Sequence, residues 1–190
     1  MEARVLDRPL PGVLLIEGRC IGDARGFFME TFHREELRAL GVEGEFVQDN
    51  HSRSEGRVIR GLHYQGPPAP MGKLVRTTLG RILDVVVDLR AGSPTFGRWA
   101  GVELSAENRR QLWIPPGFGH GFANLGDACE IQYRCTAYWS AAAEGCVAWD
   151  DPDLGVAWPF RDALVSARDA RGARFADYAR NPAFRWKEGA

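Results

Sequence analysis

The chain of 190 residues is long enough to bury a sizeable core in one domain, and 45% hydrophobic with 26% charged residues is ordinary globular composition. A formal net charge of -1 excludes a global basic surface for nucleic acid, so any anion site must be a local cluster. No apolar run approaches membrane-spanning length, and Met1-Glu2-Ala3-Arg4 does not lead into a signal-like stretch; the expectation is a cytoplasmic protein with neither nucleic acid nor membrane as partner.

In chain order, short runs rich in Val, Ile and aromatics predict strands over Gly12–Glu17, Phe27–Phe32, Val58–Gln65, Lys73–Leu79 and Arg81–Leu89. Further runs follow at Gly97–Leu104, Gln111–Ile114, His120–Asn124, Cys129–Trp139 and Gly145–Trp149. Leu79-Gly80 marks the expected turn of a long hairpin. Only His33–Leu40 reads as helical in the first half, and the tail after Trp158 reads as one or two short helices. Many short strands and few helices predict a mainly antiparallel sandwich or barrel in one domain over residues 1–190, with 159–190 as an extension packed on it. Cys20, Cys129, Cys135 and Cys146 form no CxxC pair and read as small core residues in a reducing compartment.

Pro115-Pro116-Gly117-Phe118-Gly119-His120-Gly121-Phe122-Ala123-Asn124 builds a tight turn that delivers His120 to the start of a strand. It matches the second cupin motif, P-x-G-x-x-H-x-x-x-N, at every specified position. A glycine-rich hairpin with an incidental histidine is the bland alternative. The first cupin motif should carry H-x-H and a nearby acid. Here Arg60-Gly61-Leu62-His63-Tyr64-Gln65 puts Gln65 at the second histidine, and Lys73 follows where the acid is expected. One histidine from each motif is too few for a transition metal, and an ammonium nearby repels the ion, so no metal and no cofactor is expected. His63, His120 and Lys73 are costly to desolvate together without a ligand, although each alone would be read as locally satisfied.

Several long segments resemble the dTDP-4-dehydrorhamnose 3,5-epimerase family. They include Asp23–Glu30, Phe46–Ser52, Val58–Gln65, Gly72–Arg76, Asp84–Arg90, Ser93–Gly97 and Leu104–Asn124. The resemblance implies a metal-free, cupin-type jelly-roll barrel of antiparallel strands with a few short helices. It also implies epimerisation at C3 and C5 of dTDP-4-dehydro-6-deoxy-D-glucose in dTDP-L-rhamnose biosynthesis. A relative that inverts only C3 or C5 would need the same residues. A 4-keto-sugar isomerase, a silent sugar-binding cupin and a metal-dependent dioxygenase are more distant alternatives.

Site roles follow from the same resemblance. His63 is the implied base, Asp169 of Ser166-Ala167-Arg168-Asp169 its orienting acid, Lys73 the enolate-stabilising cation and Tyr133 the acid that reprotonates the opposite face. His120 is implied to hydrogen-bond the sugar. Arg25 and Arg60 match diphosphate-binding positions, and Glu30, Gln48, Asn50, Glu144 and Arg168 match further substrate contacts. Strand parity from Tyr133 places Trp139 rather than Tyr138 at the family's thymine-stacking position. The family forms homodimers with exchanged N-terminal strands, so Arg25, Glu30, Gln48 and Asn50 are expected to complete the neighbour's site. Asp84 and Asp88 share strand parity, and a structural role is favoured over a glycosidase-like pair. His33 and His51 read as surface or turn residues.

Overall fold

The computed structural model describes residues 1–186. The first elements are β1 (Arg4–Asp7), β2 (Leu14–Glu17), β3 (Cys20–Asp23), β4 (Gly26–Met29), α1 (Arg34–Ala39) and β5 (Gln48–Glu55). They are followed by β6 (Ile59–Gln65), β7 (Lys73–Leu79), β8 (Arg81–Asp88), β9 (Arg90–Ala91), β10 (Trp99–Ser105), β11 (Gln111–Ile114), β12 (Phe118–Asn124), β13 (Ala128–Cys135) and β14 (Glu144–Cys146). A 3-10 turn over Asp169–Arg171, α2 (Phe175–Arg180) and β15 (Phe184–Arg185) end the described chain. None of its helices is long and apolar enough to cross a membrane.

Two sheets form the walls of a jelly-roll barrel. One runs β1-β2-β11-β7-β13-β5 and the other β10-β8-β12-β6-β14. Neighbours within both walls are antiparallel, whereas the short β15–β9 pair and two isolated bridges, Val58–Leu164 and Val147–Ala173, are parallel. The sequence of β8 explains how the layers are glued. Ile82 and Val86 enter the core between the walls with Val75, Phe122 and Ile131. Val85 and Val87, of opposite parity, join Val147, Tyr178 and Phe184 on the outside. A strand covered on both faces reads as a continuous apolar run, which is what Ile82–Val87 would be but for Asp84. The segment after residue 159 thus packs on the outer face of one wall, where the Tyr178 hydroxyl donates to the Leu89 carbonyl at 2.7 Å. Residues 187–190 of the expected 159–190 extension lie outside the described residues. A third cluster, with Leu14, Ile16, Leu74 and Trp113, packs against Leu37 of α1.

Several strand expectations differ from the structure for identifiable reasons. The expected hairpin at Leu79-Gly80 is a crossover. β7 pairs with β11 and β13, and β8 with β10 and β12, so neither has a free edge for the other. Gly80 makes the turn with φ 69°, and a Cβ there would strike the Ala128 carbonyl. β5 carries no hydrophobic alternation because its inward residues line a polar cavity rather than the core. β13 ends at Cys135, four residues short of the run to Trp139. The expected Phe27–Phe32 strand shrinks to β4, which pairs only with β3. Cys20 lies half-buried in that hairpin, away from the core expected for it. The predicted helix stands with its caps: His33 is the N-cap, its ring accepting from the Glu36 amide, and Leu40 the C-cap.

Ile82 is fully buried in the inter-wall cluster. Ile82→Ala is expected to lower unfolding stability by about 2–5 kcal/mol, measured by urea titration at neutral pH.

Candidate active site

The polar end of the barrel opens into a cavity of about 330 Å³. β6 presents His63 and Gln65 to it, two residues apart and so on one face. A bulge in the β6–β12 pairing lies between His120 and Phe122. There Gly61 runs at φ 133°, and a Cβ would lie 2.5 Å from the Gly121 Cα, so only glycine fits this approach. β12 contributes His120, and β7 and β13 of the opposite wall contribute Lys73 and Tyr133. β5 adds Gln48, Asn50 and Ser52, one per pleat.

Two histidine–carboxylate pairs stand side by side in the five-stranded wall, since His120 is the register partner of His63. His63 Nε2 lies 2.7 Å from Asp169 Oδ1, and His120 Nε2 lies 2.7 Å from Asp84 Oδ1. Burial by itself would raise the Asp169 carboxyl. The His63 ring, the Gly61 N–H donating at 3.2 Å and the Ser166 hydroxyl outweigh burial and hold it below its ordinary value of 3.8. An ionised Asp169 accepts only, so His63 Nε2 carries the proton of this hydrogen bond, and in the neutral form of the ring the lone pair is on Nδ1. Burial lowers the His120 pKa despite Asp84, which keeps that ring neutral near pH 7. Asp84, expected only to be structural, is the direct partner of His120, and its Oδ2 has no hydrogen bond. Asp88 does serve structure: it binds Arg90, Ser93 and Thr95 away from the cavity.

Lys73 keeps some solvent contact through the cavity, but protein surrounds its ammonium and desolvation lowers its pKa. Its Nζ sits 5.9 Å from the centre of the Tyr133 ring. Burial raises the Tyr133 pKa, so the hydroxyl holds its proton at neutral pH. A negative charge arriving between Lys73 and Tyr133 would relieve the first shift and be stabilised by both groups.

At the rim, Arg60 is anchored by Ser54 Oγ at 3.1 Å and the Arg53 carbonyl at 2.8 Å, and Arg168 pairs with Glu144 at 2.6 Å. Trp139 lines the cavity, while Tyr138 is 70% exposed and does not. Because β13 stops at Cys135, strand parity is not the cause; the loop conformation sets Trp139's place. Gln48 and Asn50, expected to serve a neighbour, line this chain's own cavity. Arg25 and Glu30 do not reach it: Arg25 pairs with Asp23 at the β3–β4 tip, and Glu30 pairs with the N-terminal amine. His51, expected to be a surface or turn residue, is exposed on the surface of β5, where its ring pairs with Glu130 at 3.0 Å. Sequence reasoning missed Ser52 and the Asp84 pairing. Ser52 was legible from its alternation with Gln48 and Asn50.

His63, Cys146 and Asp169 place one ligand atom each within 4.8 Å of one another. The set does not fit a resident metal. The Nε2 of His63 is already bonded to Asp169, and burial pushes the Cys146 thiol up to about 11, which disfavours the thiolate a metal needs.

Asp169 carries a stability signature. Its depressed folded-state pKa contributes stability that is complete above the unfolded value and lost as pH falls from about 3.8 through the lower folded value. The stability advantage of the native chain over Asp169→Asn is therefore expected to shrink as pH falls below about 4, measured by guanidinium titration between about pH 5 and 3.

Residues 7–177 match the family described as dTDP-4-dehydrorhamnose 3,5-epimerase. A relative of that description from Pseudomonas aeruginosa is 53% identical over 170 residues, 88% of this chain and 93% of its own length. The crystal structure of a 3,5-epimerase from Legionella pneumophila in complex with dTDP-4-keto-L-rhamnose superposes with a TM-score of 0.93 at 40% identity, covering 97% of this chain and 99% of that one. A 3′-monoepimerase from Streptomyces bikiniensis in complex with dTDP-quinovose gives 0.85 at 36% identity, covering 92% and 90%.

Proposed function

The chain belongs to the dTDP-4-dehydrorhamnose 3,5-epimerase family, and on that footing we propose that His63 is the base and Tyr133 the acid of its reaction. The enzyme is an isomerase: it converts dTDP-4-dehydro-6-deoxy-D-glucose to dTDP-4-dehydro-L-rhamnose by epimerisation at C3 and C5. The double epimerase is a nearer relative, at 53% identity, than the monoepimerase at 36%. The 4-keto group makes each neighbouring C–H acidic, because the carbanion left behind delocalises into an enolate.

The observation that carries the assignment is that His63 and Tyr133 lie on opposite walls of one cavity. Inversion needs removal from one face and return to the other. His63 Nδ1 takes the proton, and the imidazolium that forms is stabilised by Asp169 through Nε2. The enolate oxygen is met by Lys73 and the sugar by His120. Tyr133 then delivers its hydroxyl proton across the ring. Arg60 and the Glu144–Arg168 pair bind the diphosphate and sugar at the rim, and Trp139 stacks on the thymine. No step requires a metal.

The homodimer is a proposal resting on the β3–β4 hairpin. A two-stranded hairpin is marginal alone. This one exposes Ile21, Phe27 and Phe28, each more than half exposed, and carries Arg25 at its tip. β5 is an edge strand beside the cavity, open to such an addition from a second copy. Arg25 and Glu30 would then complete the neighbour's site. The free cysteines and the nucleotide-sugar substrate suit the cytoplasm.

In deuterium oxide, His63→Ala is expected to abolish both exchange and inversion, whereas Tyr133→Phe should keep exchange at C3 or C5 while inversion falls by about 10²–10⁴. NMR of the sugar protons reads both, and near-normal inversion by Tyr133→Phe would remove tyrosine from the mechanism. Phe28→Asp should shift the dimer toward monomer in light scattering and lower activity together. An active monomer would refute the shared site.

A further inference from the structure

The loop after β13, residues 136–140, has no regular hydrogen bonding, yet one backbone group from each of Tyr138, Trp139 and Ser140 is held by a side-chain amide. Gln65 Nε2 donates to the Tyr138 carbonyl at 3.0 Å, and Gln65 Oε1 accepts from the Ser140 N–H at 2.8 Å. Between them the Trp139 N–H donates to Gln48 Oε1 at 3.0 Å. Gln65 thus offers this loop the donor–acceptor pair that a neighbouring strand would offer, and brackets one residue with it.

The same amide reaches a second loop. Gln65 Nε2 also donates to the Ala69 carbonyl at 2.7 Å, in the connection that carries Met71 into the cavity. Thr136 ties these loops again, its Oγ1 accepting from the Gly72 N–H at 2.7 Å. Gln65 is 4% exposed, and both polar atoms of its amide are satisfied. Gln48 is oriented in turn, donating to Asn50 Oδ1 at 3.0 Å. Trp139 itself is 59% exposed, so side-chain packing does little to fix it. Its backbone is what the two amides hold.

We propose that Gln65 is a positioning residue for nucleotide recognition: with Gln48 it holds the Tyr138–Ser140 backbone so that Trp139 is preorganised as the platform for the base. This rests on the reading of Trp139 as the thymine-stacking side chain, and it extends that reading to a residue buried in the barrel. It also gives a use to the position where a metal-binding barrel would carry its second histidine. An amide supplies donor and acceptor at once, which a metal-bound imidazole does not.

The test is a double-substitution cycle on the full chain, reading the affinity for dTDP by calorimetry and the KM and kcat of epimerisation. Trp139→Ala is expected to weaken dTDP by about fivefold to a hundredfold, the range of base–aromatic stacking. Gln65→Met keeps the length of the stem without the amide and should weaken dTDP by about fivefold, with the kinetic loss mainly in KM. Gln65→Glu retains only the acceptor for Ser140 and should lose at least as much. In the Trp139→Ala background, Gln65→Met should cost less than about twofold more, since the platform it positions is gone.

If Trp139→Ala leaves dTDP affinity unchanged, the stacking reading fails and the clamp fails with it. If Trp139→Ala weakens binding but both Gln65 variants bind as the native chain does, stacking stands and the clamp is wrong. A Gln65→Met loss that persists in full without Trp139 also overturns the proposal, because the amide would then support the site in general. Failure of both Gln65 variants to fold, seen by circular dichroism, overturns it likewise.

Discussion

The hydrogen bond between His63 and Asp169 joins residues 106 apart in the chain, and most of the site's chemistry depends on it. Asp169 arrives on a 3-10 turn of the C-terminal segment and accepts from His63 and from the Gly61 amide at once. That double attachment holds the ring to its own strand and keeps the carboxyl ionised in a buried place. An ionised acceptor fixes the histidine tautomer, and the tautomer decides which nitrogen carries a lone pair. The outer packing of Tyr178 and Phe184 against β8 and β6 therefore bears on the cavity, since it seats the segment that carries Asp169.

A second constraint is the cost of putting polar groups between two sheets. The barrel meets it by dividing its interior. Ile82, Val86, Leu104 and Ile131 belong to an apolar core, with Ile131 also at the cavity wall. Two histidine–carboxylate pairs, a lysine and a tyrosine stand together around the cavity. The shifts at Lys73 and Tyr133 have the same origin, desolvation, and both leave the site poised for an arriving negative charge. In the proposed mechanism the enolate is such a charge, and its arrival would offset the desolvation of Lys73.

Much of the architecture was legible in the chain. The strands Lys73–Leu79 and Gln111–Ile114 are short runs rich in apolar, β-branched and aromatic residues and appear in the structure with the same bounds. β5 did not announce itself, because the face it turns inward lines a polar cavity rather than the apolar core. The crossover at Gly80 reads locally like a hairpin, since a turn glycine between two apolar strands looks the same whether the strands pair with each other or face each other. Trp139 was assigned to the cavity by a strand that in fact ends at Cys135, and its actual support, the amides of Gln48 and Gln65, is not a local pattern at all.

By itself the sequence determined the fold class and the family, and its resemblance pointed to His63, Lys73, Tyr133 and Asp169, because hydrophobic period and the motifs that carry a resemblance are local properties. Only the tertiary structure decided which groups meet. It paired His120 with Asp84, brought Gln48 and Asn50 into the chain's own cavity, and left Arg25 and Glu30 outside it. Those outcomes depend on strand order across two sheets and on where loops close. The energies that set them come from contacts between residues distant in the chain, which no local window contains.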